Sequence, residues 1–127
     1  MAGQETETLP DATRTVAAWV ADAAAQGRGE AALGRRRHLR FVWPAAIEEL
    51  LNQGTPSEQQ LFATGLDVSE GGMGLVVRRV LPMGARVMLR YADDGEACPW
   101  VPAHVVHIAP SAGGYRVGVT FELWPAP

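Results

Sequence analysis

The sequence predicts a mainly β protein, a small antiparallel six-stranded β-barrel with an N-terminal α-helix. Three observations indicate this fold class. Beyond residue 39, apolar residues recur with a period near two in several short runs. Turns rich in glycine or proline separate these runs at short intervals, as in small barrels. Ahead of them, residues 10–26 follow a helical period instead.

The predicted helix is short, alanine-rich and amphipathic. Its apolar stripe, with spacing i, i+3, i+4 and i+7, consists of Val16, Trp19, Val20 and Ala23. We expect this stripe to pack on the barrel, with a dimer contact as the alternative. Residues 1–9 are polar and are expected to be disordered, and residues 27–34 are interpreted as a linker. The predicted organisation is a tail, short helix and linker over residues 1–33, followed by a β-barrel domain over residues 34–127.

The first two strands are predicted from alternation. One face of the first strand would hold Leu39, Phe41, Trp43, Ala45 and Ile47, leaving Arg40 on the other face. In the second strand, the apolar face would consist of Phe62, Thr64, Leu66 and Val68. Asp67 would then point away from the apolar face. The stretch between them, residues 48–60, is expected to be a longer loop or a short helical turn.

Four further runs complete the predicted barrel. They cover residues 73–77, 87–91, 100–108 and 115–121. The run at 100–108 lacks clean alternation, as a strand covered on both faces would.

The composition is that of an ordinary globular protein. Of its 127 residues, 47% are apolar and 20% charged, and the net charge of −3 argues against a general binder of nucleic acid or membrane surfaces. No apolar run reaches the length of a membrane span, and the N-terminus lacks the blocks of a signal peptide. We therefore expect a cytoplasmic protein without membrane insertion. Cys98, the single cysteine, is expected to be inert.

Arginines are concentrated in the segment RRRHLR at residues 35–40. All 11 basic residues are arginine, and four of them lie here: Arg35, Arg36, Arg37 and Arg40. A guanidinium group can bind phosphate, bind the O6/N7 edge of guanine or stack on a base. Like charges this close favour a bound anion. The alternatives are a solvated basic linker and a nucleic-acid surface, and the acidic overall balance disfavours the second.

The segment DVSEGG at residues 67–72 is the second motif. Asp67 and Ser69 are two residues apart, so an extended segment would point both side chains to one side. A carboxylate can accept from the N1–H and N2–H₂ edge of guanine, and a hydroxyl can donate to phosphate. Gly71 and Gly72 permit positive φ and close backbone approach. The alternative is a plain β-turn in which Asp67 and Ser69 cap their own backbone.

Taken together, the two motifs resemble the PilZ domain, a bacterial receptor module for cyclic di-GMP. An R-x-x-x-R motif precedes the barrel, and a D/N-x-S-x-x-G motif lies between early strands. The segment LDVSEGGMGLVV is similar to the family's strand–turn–strand unit. The segment HVVHIAPSAGGYRVGVTFE, with Gly118, is similar to its final hairpin. The resemblance covers about residues 34–123.

The resemblance implies a role for each motif. The paired Arg36 and Arg40 would contact phosphate and guanine faces, and their arginine neighbours would add charge or stacking. Asp67 would read a guanine edge, and Ser69 would contact phosphate or brace the loop. The implied cyclic di-GMP-binding set is Arg35, Arg36, Arg37, Arg40, Asp67, Ser69, Gly71 and Gly72.

The function that the resemblance implies is a cyclic di-GMP receptor that changes conformation and regulates a downstream protein partner. Motility, adhesion or exopolysaccharide control is the usual family setting. Ligand binding would draw residues 34–40 onto the barrel and move the N-terminal helix. No cofactor is implied, and a homodimer is compatible with the sequence. The alternative is a PilZ-like protein–protein adaptor that does not bind nucleotide, although such members usually lack the two motifs.

Enzymatic and metal chemistry are not indicated. Catalysis by Ser69 would need a histidine base, and the sequence places none beside it. His104 and His107 are three residues apart, so they would face opposite sides of a strand, and no cysteine or carboxylate has ligand spacing around them. The sequence therefore predicts a binding module rather than an enzyme.

Overall fold

The computed structural model describes residues 2–26, 30–32 and 39–123. Within these ranges, helix α1 (Ala2–Ala25) precedes eight strands. The strands are β1 (Glu30–Ala32), β2 (Arg40–Val42), β3 (Ala46–Leu51), β4 (Gln59–Val68), β5 (Gly72–Val77), β6 (Arg86–Tyr91), β7 (Val101–Ser111) and β8 (Gly114–Phe121). A 3₁₀ helix, Ala92–Ala97, joins β6 to β7. None of the helical segments in these ranges combines the length and the hydrophobicity that a bilayer crossing needs.

Six of the strands close into an antiparallel barrel. Around the barrel, β4 pairs with β3, β3 with β6, β6 with β7, β7 with β8, β8 with β5, and β5 with β4. Strands β1 and β2 form a short ribbon outside this ring, joined to β4 through the pairs Phe41↔Val68 and Val42↔Asp67. The predicted fold, a six-stranded antiparallel barrel with an N-terminal helix, is confirmed. The ribbon brings β2 beside the end of β4 that carries Asp67.

Helix α1 packs on the barrel through the predicted apolar stripe. Val16, Trp19 and Ala23 are buried and belong to the same hydrophobic core as the inward side chains of the barrel strands. The Trp19 ring lies 5.6 Å from the Trp43 ring and 6.1 Å from the Phe121 ring, measured between centroids. Packing on the barrel, rather than on a second copy, therefore accounts for the stripe.

The two predictions for the segments flanking the helix were wrong. Helix α1 begins at Ala2, whereas the polarity of residues 1–9 predicted a disordered tail. That segment contains several residue types with good helix propensity, among them Gln4, Glu5 and Glu7. The predicted linker at 27–34 contains β1, which finds its hydrogen-bond partners on β2. Polarity alone therefore did not identify loops here.

A hydrogen bond also joins the helix to Trp43, the residue that follows β2. The Trp43 indole N–H donates to Asp22 Oδ2 at 2.8 Å. We expect Asp22→Ala to lower the free energy of unfolding by about 1 kcal/mol, because the buried indole N–H would lose its acceptor. Urea unfolding followed by tryptophan fluorescence measures this loss. Arg14→Ala, an exposed site on the same helix, is the control, and an equal loss in both variants would contradict the prediction.

Residues 39–60 form more strand than the sequence predicted. The single strand expected over residues 39–47 is interrupted after Val42 and resumes at Ala46, since Pro44 cannot donate to a ladder. Leu39, expected on the buried face, is 55% exposed. The stretch 48–60 was expected to be irregular, but β3 continues to Leu51 and β4 begins at Gln59. Gly54 and Pro56 lie in the turn between these two strands, so they interrupt neither of them.

The face prediction for β4 was wrong in its first half and right at its end. Phe62 is 68% exposed and Thr64 is also exposed, whereas Ala63 faces the core. A register shift between Gly65 and Asp67 then reverses the alternation, as a β-bulge does. Beyond the bulge, Val68 is buried and Asp67 points away from the core. The bulge thus aims Asp67 at the outer surface of the barrel.

Candidate functional site

Arg40 and Asp67 form an ion pair between β2 and β4. The Arg40 Nη1 donates to Asp67 Oδ1 at 2.7 Å, across a sequence separation of 27 residues. Their side chains are 19% and 14% exposed, so the pair is mostly shielded from water. A charge-assisted bond in this setting is stronger than an exposed one. The structure therefore joins one residue of each predicted motif.

A backbone amide also holds the Asp67 carboxylate. The Gly74 N–H on β5 donates to the same Oδ1 atom at 2.9 Å. A Cβ at position 74 would lie 3.0 Å from Oδ1, so glycine lets the carboxylate approach the strand. Within the described part of the chain, Oδ2 receives no hydrogen bond. One carboxylate oxygen is thus fixed, and the other can accept from a ligand.

Ser69 braces the turn between β4 and β5. Its buried Oγ accepts from the amides of Gly71 and Gly72, each at 3.3 Å, and donates to the Gly72 carbonyl oxygen at 3.3 Å. Because β4 ends at Val68, the expectation that Asp67 and Ser69 project to one side of an extended segment was wrong. The alternative of backbone capping describes Ser69, whereas Asp67 bonds to Arg40 and Gly74 instead.

Gly72 allows β5 to approach β8 closely. A Cβ on this residue would fall far inside contact distance of the Val119 carbonyl oxygen. Among the described residues, the positive-φ glycines do not include Gly71 or Gly72, so close approach and not left-handed backbone explains Gly72. The Gly71 carbonyl oxygen accepts from the Phe121 N–H at 2.9 Å, which fixes the turn against β8.

We expect Gly72→Ala to lower the free energy of unfolding by about 2–3 kcal/mol, because the added methyl group meets rigid backbone. Chemical denaturation measures this loss. Gly54→Ala is the matched control: that glycine has a φ of +76° but open space for a Cβ, so about 1 kcal/mol is expected. A loss at position 72 no larger than at position 54 would contradict the close-approach argument.

The ion pair lies at the edge of a surface cleft of about 400 Å³. The cleft extends from Arg40 and Asp67 across β5 to the final hairpin, where it is lined by His107, Arg116 and Gly118. His107 and Gly118 are register partners on β7 and β8, and a Cβ at position 118 would approach His107 Cβ to 3.3 Å. The missing side chain at 118 keeps this part of the cleft open.

Arg116 and His107 were not recognised from the sequence as site residues. Both are exposed, and in the described part of the chain Arg116 has no carboxylate partner. The pattern that could have identified Arg116 is the alternation of the last strand, which places Arg116 and Gly118 together on its outward face. Arg116 adds a second guanidinium to the cleft. The cleft can therefore hold an anion at its cations and a hydrogen-bond donor at Asp67.

Three predicted ligand residues, Arg35, Arg36 and Arg37, lie outside the described residues. Arg40, at the start of β2, is the member of that motif whose placement the structure gives. Burial raises the pKa of the Cys98 thiol, in keeping with an unreactive side chain. Across residues 2–26, 30–32 and 39–123, no cluster of three or more His, Cys, Asp or Glu side chains could hold a metal ion.

Comparison with known proteins provides a family and two solved structures. A family model described as "PilZ domain" matches residues 34–125. The structure is similar to the K. pneumonia MrkH–c-di-GMP complex, with a TM-score of 0.54 and 19% identity over 72% of this chain and 46% of that one. It is also similar to Escherichia coli YcgR in complex with c-di-GMP, with a TM-score of 0.53 and 22% identity over 75% of this chain and 41% of that one. These likenesses show the fold, and the chain spans less than half the length of either protein. No protein with a curated description matches the sequence.

Proposed function

This chain belongs to the PilZ domain family, and we propose that it is a cyclic di-GMP receptor that changes conformation to regulate a protein partner. The contact between Arg40 and Asp67 is the observation that carries the proposal, since it unites the two ligand motifs at one cleft. The two solved structures in complex with c-di-GMP support the choice of ligand.

The chemistry of the cleft suits a dinucleotide with guanine bases and phosphates. Asp67 Oδ2 would accept from the N1–H and N2–H₂ edge of one guanine, which is donor-rich. Arg40 would bind a phosphate or the O6/N7 edge of a base. Arg35, Arg36 and Arg37 would supply further positive charge from the segment ahead of β2. Ser69, Gly71 and Gly72 would hold the turn in place, with Ser69 bracing it from inside.

Ligand binding would be transmitted through β2. Arg40 begins this strand. Trp43 follows directly after the strand, and its ring packs against the Trp19 ring of helix α1. A ligand that redirects Arg40 from Asp67 would shift β2 and hence the Trp43 contact with the helix. The surface of α1 is then the part of the molecule that a partner would sense. A homodimer is compatible with this route.

We place the protein in the bacterial cytoplasm, as a non-enzymatic receptor without cofactor. Control of motility, adhesion or exopolysaccharide production is the setting that the family suggests.

The domain division at residue 34 is likewise part of this proposal. Because helix α1 shares the barrel's core, we expect residues 2–26 to be needed for the barrel's full stability.

Calorimetric titration tests the proposed ligand. We expect saturable binding of cyclic di-GMP, no measurable heat with GMP at the same concentration, and none with a short RNA. The reason is that the arginines of residues 35–40 would bind the two phosphates, and the Asp67 Oδ2 atom would accept from a guanine edge. Absence of heat with cyclic di-GMP would contradict the proposal and favour a PilZ-like adaptor that binds protein alone. Salt-dependent binding of RNA would instead indicate a nucleic-acid protein.

A further inference from the structure

A second and larger cleft lies at the opposite end of the β4–β5 pair from Asp67. Its volume is about 530 Å³. The register between the two strands runs from Val68↔Met73 to Thr64↔Val76, and beyond that point β5 ends while β4 continues toward Gln59. The cleft occupies the gap where the strands part. It shares no lining residue with the cleft beside Arg40 and Asp67.

Glu49 lines the inner end of this cleft. It lies on the barrel-facing side of β3, two residues after the buried Ile47, and its exposed fraction is 0%. Neither carboxyl oxygen has a hydrogen-bond partner among the described residues. Burial raises the pKa of this carboxyl from 4.5 to about 7. A buried polar group without a partner is costly, so a donor arriving through the cleft would recover that cost.

The outer end of the cleft is positively charged, in contrast to the acidic inner end. Arg78 and Arg79 are both exposed on its rim, and in the described part of the chain neither is paired with a carboxylate. Arg79 has only a 3.4 Å hydrogen bond to the Gln59 side chain. Leu61, the half-buried register partner of Glu49 on β4, also lines the cleft. A concave surface lined mostly by apolar side chains with a few polar groups is typical of a binding site.

We propose that this cleft binds a small amphoteric molecule, with an amine donating to Glu49, an apolar or aromatic body against Leu61, and an anionic group at Arg78 and Arg79. This site is independent of the proposed cyclic di-GMP site. A simple cation would meet repulsion from the two arginines at the entrance. A simple anion would leave Glu49 without a donor and would place like charges together. The two ends are satisfied at once only by a molecule that carries both groups.

The probe for this proposal is 4-(aminomethyl)benzoate, which carries an amine, a ring and a carboxylate in line. Benzylamine and benzoate are the matched compounds that lack one end each. Binding is followed by NMR chemical-shift changes of the backbone amides of β3, β4 and β5. We expect saturable shifts with 4-(aminomethyl)benzoate, at a dissociation constant about tenfold or more below those of the two matched compounds. Glu49→Gln and the double variant Arg78→Gln/Arg79→Gln should each weaken the probe at least tenfold.

Two controls make the result decisive. Arg86→Gln removes an arginine outside this cleft and should leave the affinity unchanged. Glu49→Gln keeps the side chain's size and removes its charge, so the fold should be retained and its amide spectrum should show this. Equal affinity for the three compounds, no change in Glu49→Gln, or no shift up to about 10 mM probe would overturn the proposal. The calorimetric result with cyclic di-GMP has no bearing on any of these outcomes.

Discussion

Replacing Asp67 with alanine is expected to weaken cyclic di-GMP binding by at least about 100-fold. The carboxylate would accept two N–H groups of a guanine, and charge-assisted bonds contribute about 1.5–3 kcal/mol each. Alanine removes the open oxygen that would accept both bonds, and also the partner that orients Arg40. Calorimetry on the purified variant measures the change, at a temperature well below its melting point.

The intermediate substitution separates charge from geometry. Asp67→Asn keeps an oxygen that can accept from Gly74, and the family motif admits asparagine at this position. We therefore expect the affinity for cyclic di-GMP to fall about tenfold, which is less than for alanine. The fall arises because a neutral amide replaces the charged carboxylate. Asp94→Ala is the control, since that aspartate is exposed on the 3₁₀ helix and does not line the cleft. It should bind as tightly as the unmodified protein.

Loss of the fold must be distinguished from loss of the site. Asp67 bonds to both Arg40 and Gly74, so the alanine variant should also lose some stability. A thermal melt shows whether the variant is folded at the titration temperature. Unchanged affinity in a folded Asp67→Ala variant would sink the proposed role. Arg40→Ala and the double variant then test coupling, since residues in direct contact give non-additive losses.

The strands could be predicted from the sequence wherever one face is buried and the other is exposed to solvent. Val117, Val119 and Phe121 alternate with polar residues or glycine, and all three are buried. The predicted stripe of helix α1 was found buried for the same reason. In β4 the alternation did not predict the buried face. The bulge after Gly65 reverses which side chains face the core, and no residue type in the sequence indicates that bulge. Phe62 was therefore assigned to the core although it is exposed.

The candidate site was predictable in its motifs but not in its contacts. The spacing of Asp67, Ser69 and Gly72 predicted a functional turn, but only the fold shows Ser69 turned inward to its own backbone. Arg116 and His107 reach the cleft through the pairing of β5 with β8 and of β8 with β7. Such long-range register depends on the whole ring of strands, and local sequence patterns do not encode it.

Glu48 and Glu49 are neighbours with opposite environments. Both belong to the stretch that was expected to be a loop or a helical turn, yet both lie within β3. Glu48 forms an ion pair with Arg90, whose guanidinium also lies over the Trp100 ring. Glu49 faces the other way, into the barrel, and has no such partner among the described residues. Alternation along the strand thus gives the two neighbours opposite environments.

Stability is expected to fall as the pH rises from about 4.5 to about 7, by on the order of 3 kcal/mol through Glu49 alone. Desolvation raises the pKa of this carboxyl to about 7 in the folded protein, whereas the unfolded chain titrates near 4.5. Below 4.5 both states hold the proton, so the contribution to stability is fully present. Between the two values the unfolded state releases its proton first, and the folded state is progressively disfavoured.

Glu49→Gln should abolish this part of the pH dependence, because an amide does not titrate. Urea unfolding of both proteins at pH 4.5, 6 and 8 gives the comparison, and the variant should be the more stable protein at pH 8. Glu96→Gln, at an exposed position on the 3₁₀ helix, is the control and should follow the unmodified protein at every pH. The difference between the Glu49 variant and the unmodified protein cancels the titration of all other groups. A difference that stays constant from pH 4.5 to 8 would mean that Glu49 titrates alike in the folded and unfolded chain, and would contradict the raised pKa.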